Sequence, residues 1–342
     1  MTVHTLAIVD PCCARGYTPD ALQAGGLGGT EATVLRVATF LSTDMTIVHY
    51  QRGRLIAEQT SAGIMRPLAE AFAHVPEATI VVINAWKVAC KLRKVHPAAR
   101  IILWLHIHPG RHNHPMASAL AAAGVKIICV SASHAASLRR FLSNGPPLAI
   151  DHIYNPIAPG LMPDGTPHDP DRLLFASSPH KGLTQVFDRF RTARAAIPSL
   201  TLSVADPGYL AWDTGPVPEG VNFLGPLPHA KLIAEMRRAH CLFYPQTTFA
   251  ETFGLVMAEA QAVGLPVLAH DTIGANAEVV TDDGQLLDAR KDDQILARLK
   301  AWRNVRPAVR GNPAFALTAV GDCWRELLAA PVRADTTSEK VA

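Results

Sequence analysis

The stretch HCLFYPQTTFAETFGLVMAEAQAVGLPVLAH (240–270) sets the fold. It opens and closes on short apolar, β-rich runs, CLFY and PVLAH, with a helical pattern between them. Neither run alternates polar with apolar residues, so both read as parallel strands buried on two faces. Strand, helix, strand is the unit of a parallel α/β sheet. Working outward, the same pattern recurs. Strand-like runs are TLAIVD (5–10), MTIVHY (45–50), TIVVIN (79–84), RIILWLH (100–106) and VKIICVS (125–131). After a gap come RLLFAS (172–177), LTLSVA (200–205), HCLFYP (240–245) and LPVLAH (265–270). Helical stretches such as 30–41 and 133–142 lie between them, which predicts doubly wound sheets.

The chain has 342 residues, of which 49% are apolar. That length suits two domains of roughly 150 residues each. The segment YNPIAPGLMPDGTPHDPD (154–171) is dense in Pro, Gly and Asp and continues neither a helix nor a central strand. The expected division is one Rossmann-like α/β domain over 1–155 and a second over 156–316. A C-terminal helix over 317–331 is expected to pack back across the domains, ahead of a frayed tail, 332–342.

No apolar run approaches the ~20 residues that span a bilayer. The N-terminal run 5–10 reads as a first strand and not as a signal peptide. The six cysteines are scattered without metal-ligand spacing, as in a reduced cytosolic protein. Residues 1–155 carry 14 Lys and Arg against 8 Asp and Glu, a net +6; the remainder carries 18 against 21, a net −3. The basic half suits an anionic acceptor or an anionic membrane surface, although basic residues commonly just solvate helix faces. No dense basic run with interleaved aromatics points to nucleic acid.

Four motifs carry chemistry. In AETFGLVMAEAQAVGLPV (250–267), seven residues separate Glu251 from Glu259. On a continuous helix, eight steps cover roughly 12 Å and return to within about 80° of the starting direction. Two carboxylates so placed can grip both ends of a diphosphate-sugar. The amides of Phe253, Gly254 and Leu255 at the helix start suit phosphate. In SSPHKGL (177–183), Lys181 and Gly182 open a helix beside Ser178 and His180, again suiting a diphosphate. GGLGGTEATVL (25–35) fails as a dinucleotide fingerprint: Gly26 and Gly28 are present, but Glu31 holds the third glycine position, and about 15 residues separate the loop from strand one. LHIHPGRHNH (105–114) sets four histidines at a strand end, a rival metal set with no nearby Asp, Glu or Cys to complete it. The plain alternatives are an ordinary surface helix with two glutamates, a surface lysine, a flexible glycine loop and loop histidines.

These motifs together resemble the GT-B retaining glycosyltransferases of family 4 (glycosyl transferases group 1), most specifically over 172–288. The resemblance implies two Rossmann-like domains facing a cleft and transfer of a sugar from a nucleoside-diphosphate sugar, with retention, in glycan, polysaccharide or glycolipid synthesis. It implies that Glu259 bonds the ribose diol, that Glu251 contacts donor-sugar hydroxyls, and that His106 lies near the donor sugar. Lys181 would hold the leaving diphosphate, and Gly28 and Gly29 would close over the phosphates with Thr30 capping the next helix. Main-chain groups of Leu224 and Gly225 in FLGPLPHAKLIAEM (223–236) would cradle the base. The family's arginine before the lysine is replaced here by Ser177 and Ser178. CVSASHAASL (129–138), YNP (154–156) and HDTIGANAEVV (270–280) match weaker family elements. No metal or other cofactor is implied, and Asp282-Asp283 reads as a loop. The acceptor would be a carbohydrate or a lipid-linked one, with the enzyme cytoplasmic or peripheral on the membrane. Two rivals stand beside this reading: an epimerase or hydrolase of the same fold, and a non-catalytic nucleotide-sugar-binding scaffold.

Overall fold

The computed structural model describes residues 5–24, 27–73, 79–208, 212–280 and 283–330; Gly26 and Asp282 of the motifs above lie outside them. The first half builds one sheet from β1 (Thr5–Asp10), β2 (Thr46–Gln51), β3 (Glu58–Thr60), β4 (Gly63–Pro67), β5 (Thr79–Ile83), β6 (Arg100–Leu105), β7 (Lys126–Cys129) and β8 (Ile150–His152). Its order is β3-β4-β2-β1-β5-β6-β7-β8, parallel except for the β3–β4 pair. Its helices are α1 (Ala21–Ala24), α2 (Gly29–Leu41), α3 (Trp86–Val95), α4 (Met116–Ala122) and α5 (Ala132–Phe141).

The second half builds a parallel sheet from β9 (Arg172–Ala176), β10 (Thr201–Ala205), β11 (Val221–Phe223), β12 (Cys241–Tyr244), β13 (Val267–His270) and β14 (Leu286–Leu287). Its order is β11-β10-β9-β12-β13-β14. Its helices are α6 (Leu183–Ala196), α7 (His229–Arg238), α8 (Leu255–Ala262), α9 (Asn276–Val279), α10 (Asp292–Asn304) and α11 (Leu317–Ala329). The chain therefore has two Rossmann-like α/β domains, the GT-B architecture. The edge strands β3, β8, β11 and β14 have two or three residues each. Runs that short show no period, which is why the sequence pattern passes over them.

Strand pleating divides the first sheet's core. Leu6 and Ile8 join one buried cluster, while Ala7 and Val9 join another under α3, α4 and α5. The first cluster runs unbroken through Ile153 and Ile157 into the second domain and ends on Phe315 and Trp324. Helix α11 closes it by lying against α2, with the Trp324 and Trp104 rings 4.5 Å apart. The two helices come close because residue 321 is glycine; a Cβ there would overlap the Phe40 ring.

Candidate active site

In the second sheet the chain leaves β9 in both directions, toward β10 on one side and β12 on the other. The loops after β9 and β12 therefore diverge, leaving a crevice at the strand C-termini, where open α/β sheets bind ligands. The loop after β9 carries Ser178, His180 and Lys181; the loop after β12 carries Glu251 to Gly254. In the first sheet the same divergence lies between β1 and β5, and His106 follows β6, the strand on the far side of β5. These edges line one cleft of about 1600 Å³ that includes Gly28, Gly29, Thr30, His106, His180, Lys181 and Glu251 through Leu255. A side cavity of about 220 Å³ adds Ser178, Arg36, His229 and Glu259. Arg36 and Glu259, 223 positions apart in sequence, are thus joined in one site.

At one end, Lys181 Nζ donates to both oxygens of Glu251 at 3.0 Å, and Tyr244 Oη donates to Oε1 at 2.9 Å. The ammonium also sits 4.8 Å from the centre of the Phe249 ring. Glu251 is 6% exposed. It does not lie on the helix that bears Glu259, which corrects the single-helix geometry expected from the spacing. Helix α8 begins only at Leu255, and its cap Gly254 is left-handed at φ 91°. The left-handed φ is what asks for glycine at 254; a Cβ there would in addition displace the Met257 methyl. Gly182, before α6, has the same φ of 91°. Helices α6 and α8 thus both start from a left-handed glycine that turns the preceding residues into the crevice.

At the other end, Glu259 is 4% exposed. Arg36 Nη2 from α2 donates to its Oε1 at 3.0 Å, and His229 Nε2 at the start of α7 meets Oε2 at 3.0 Å. Burial alone would raise its carboxyl; the hydrogen bond from His229 and the Arg36 charge outweigh this and hold it below the usual carboxylate range. Arg36 Nη1 also donates to the Pro156 carbonyl at 3.1 Å, in the segment that joins the domains.

His106 is presented by Asn84, whose side-chain oxygen accepts the His106 amide at 2.7 Å. Among the described residues Asn84 is the non-glycine residue with positive φ, at 57°. Burial pushes the His106 imidazole down to about 3, so the ring is neutral near pH 7, and its Nε2 has no protein partner. The seam between the domains is polar and specific. Thr252 Oγ1 donates to His106 O at 2.8 Å and Ser131 Oγ to Thr252 O at 2.6 Å. Glu278 accepts the α5 amides of Ala132 at 2.7 Å and Ser133 at 2.8 Å. The weaker motifs at 129–138 and 270–280 hence meet each other across this seam.

Other expected residues are placed differently. Thr30 lies inside the first turn of α2; Gly28 is the cap, with no side-chain cap bond. The space over Gly28 is taken by the Glu31 carboxylate, which burial shifts upward. Leu224 and Gly225 line neither cavity, and the Leu224 amide is bonded to Val204 O at 2.8 Å. Leu227, His229 and Leu232 line the wall there instead. The Phe253 ring turns inward onto Phe315, with centroids 5.0 Å apart. The loop histidines disperse: His106 lies on Trp104, His108 on His134, and His114 on Phe141. Among the described residues no three His, Cys, Asp or Glu side chains gather as a metal set. Arg36, His229 and Tyr244 were not anticipated. His229 stands in a motif already singled out; Arg36 reads as one more basic residue on an amphipathic helix. The N-terminal wall also carries Arg15 and Arg54, the latter bonded to Glu58 at 2.8 Å.

The chain is similar in sequence and in fold to known glycosyltransferases. A phosphatidyl-myo-inositol mannosyltransferase of Propionibacterium freudenreichii subsp. shermanii is 36% identical over 109 residues, 32% of this chain and 27% of that protein. The match thus spans about a quarter of that curated relative. The structure of an α,α-trehalose-phosphate synthase (UDP-forming) from Burkholderia xenovorans superposes with a TM-score of 0.66, at 13% identity, over 95% of this chain and 100% of the other. WaaG, a glycosyltransferase involved in lipopolysaccharide biosynthesis, gives a TM-score of 0.60 at 13% identity over 95% and 100%. At such identities these two likenesses show the fold alone. Residues 167–306, which carry Lys181, Glu251 and Glu259, match the family model of glycosyl transferases group 1.

Proposed function

We propose that this chain transfers a sugar from a nucleoside-diphosphate sugar to a hydroxyl acceptor, with retention of anomeric configuration. The observation that carries the reading is the pair of buried carboxylates in one interdomain cleft. Glu251 is wired to a lysine and Glu259 to an arginine and a histidine. The Glu259 cavity takes the ribose, the α8 and α6 starts take the diphosphate, and the sugar lies between Glu251 and His106. The acceptor oxygen attacks the anomeric carbon as the bond to the diphosphate oxygen breaks. The bonding electrons and the acceptor proton both pass to the departing diphosphate. Lys181 stabilises that growing charge, and neutral His106 lines the sugar end of the cleft without adding charge to it. No step needs a metal, so activity is expected to survive chelation by EDTA.

The acceptor side fits an anionic or lipid-linked molecule. Lys87, Lys91 and Lys94 are exposed on one face of α3, while Arg93 is spent on the carbonyls of Ala99 and Ala123 at 2.6 and 2.8 Å. This face makes a weak, salt-sensitive contact with anionic membrane. Among the described residues no helix is long and apolar enough to cross one. Liposome flotation at low and high salt tests the contact; absence of binding at low salt removes it.

The transfer itself is tested with a panel of UDP-, GDP- and ADP-sugars, with and without hydroxyl acceptors, and with the product anomer read by NMR. Transfer with inversion overturns retention. Donor epimerised or hydrolysed at an unchanged rate without acceptor supports the isomerase or hydrolase of this fold. Binding with no turnover over the whole panel supports a scaffold.

A further inference from the structure

The nucleotide half of the cleft is not complete within its own domain. Arg36, on α2 of the first domain, is 7% exposed and reaches across to Oε1 of Glu259, while its other terminal nitrogen bonds Pro156 O between the domains. His229 holds Oε2 from the second domain's own α7. An ionised carboxylate offers about four acceptor positions, two on each oxygen. Arg36 takes one on Oε1 and His229 takes one on Oε2. One position therefore remains on each oxygen, which is the demand of a vicinal diol donating two hydroxyls. The planar guanidinium is suited to this because two of its N–H groups are fixed relative to each other. Anchoring one on Pro156 aims the other.

We infer that Arg36 is a positioning residue that orients Glu259 for the ribose diol, so that nucleotide recognition is completed by the opposite domain. The inference rests on the proposed role of Glu259. Arg36 touches no substrate in this account. It acts by fixing which faces of a buried carboxylate stay open, and it does so only while the domains are closed as seen here. A carboxylate left with His229 alone is less well fixed, and its desolvation is less well compensated.

The test compares binding of a nucleoside diphosphate with that of its 2′,3′-dideoxy analogue by calorimetry on the full chain. The base is whichever of uridine, guanosine and adenosine the wild type binds best. Wild type is expected to prefer the diol by about tenfold or more, as for hydrogen bonds to a charged group. Arg36→Gln is expected to cut that preference to about threefold or less, and Arg36→Lys to an intermediate value, since one ammonium cannot aim two fixed N–H groups. The ratio is internal to each variant, so general damage to the cleft, which weakens both ligands alike, does not mimic the effect. Should Arg36→Gln fold poorly, Arg36→Lys carries the test alone. A wild-type preference retained by a folded Arg36 variant overturns the inference. A wild type without preference, or a Glu259→Gln variant that keeps it, overturns the role of Glu259 instead.

Discussion

Glu251 and Glu259 stand in one cleft and are held in different ways. Lys181 and Tyr244, which hold Glu251, both come from the six-stranded half. Of the two that hold Glu259, His229 comes from that half and Arg36 from the other. The Glu251 cluster is therefore assembled whenever the second domain folds, whereas the Glu259 cluster is assembled only when the domains meet. On the proposed reading, leaving-group chemistry is built into one domain and nucleotide recognition reports on closure. The cleft can then be weakly selective when open while the Lys181–Glu251 pair stays formed.

The largest effect is expected at the Glu251 end. The diphosphate gains charge as the glycosidic bond breaks, so Lys181 acts more strongly in the transition state than in the ground state. Lys181→Ala is expected to lower kcat by about 100-fold or more, the loss seen when one electrostatic stabiliser is removed. Donor KM is expected to change less. Steady-state kinetics checks this. A nearly silent variant would break the comparison and shift the leaving-group role to Arg15 or Arg54 on the opposite wall, not to Arg111, which lines neither cavity.

Next comes the Glu259 end. Glu259→Ala is expected to weaken nucleoside diphosphate binding by about 1.5–3 kcal/mol, the range for hydrogen bonds to a charged group. Glu251→Ala is expected to do the reverse, harming turnover with donor more than binding of the free diphosphate. Titration calorimetry beside kinetics separates them. Equal losses in both assays from both variants would mean that the two carboxylates are not divided between sugar and ribose.

The same contrast explains what could be read from the chain alone. The β-rich runs flanking 250–267 are long and strongly patterned, so the parallel sheets were legible. Lys181 and Glu251 were legible because each sits within a few residues of a glycine that ends a strand-to-helix turn. Their mutual bond was not, because it joins positions 70 apart. The spacing of the two glutamates suggested one helix, but the left-handed Gly254 cuts it and leaves Glu251 in a loop. Arg36 was invisible for a plainer reason. Its partner lies 223 residues away, and nothing local distinguishes it from an arginine that solvates a helix face. Contacts that close a two-domain cleft are of this kind, so the half of the site made by one domain is readable and the shared half is not.

The smallest expected effect sharpens the claim that closure is held by carboxylates. Glu278 stands at the seam and accepts two orphan amides at the start of α5. Burial would raise its carboxyl, but the bonds from Ser133, from Ala132 and from Tyr154 together hold it below its ordinary value of 4.5. Glu259 is lowered in the same direction. A group whose folded pKa is depressed stabilises above its unfolded value and loses that contribution as pH falls through the folded one. Asp10 and Glu31, raised by burial, work against this on acidification, so the melting curve of wild type alone would blend both signs. A difference isolates the seam. Glu278→Gln is expected to melt below wild type at neutral pH, and the gap between the two is expected to narrow as pH is taken below about 4.5. Differential scanning calorimetry of both proteins from pH 7 to about pH 3 reads the gap directly. A gap that stays constant through this range would show that the seam depends on the shape of Glu278 and not on its charge. The charged contacts between the halves would then be Arg36 with Glu259 and Arg325 of α11 with Asp44.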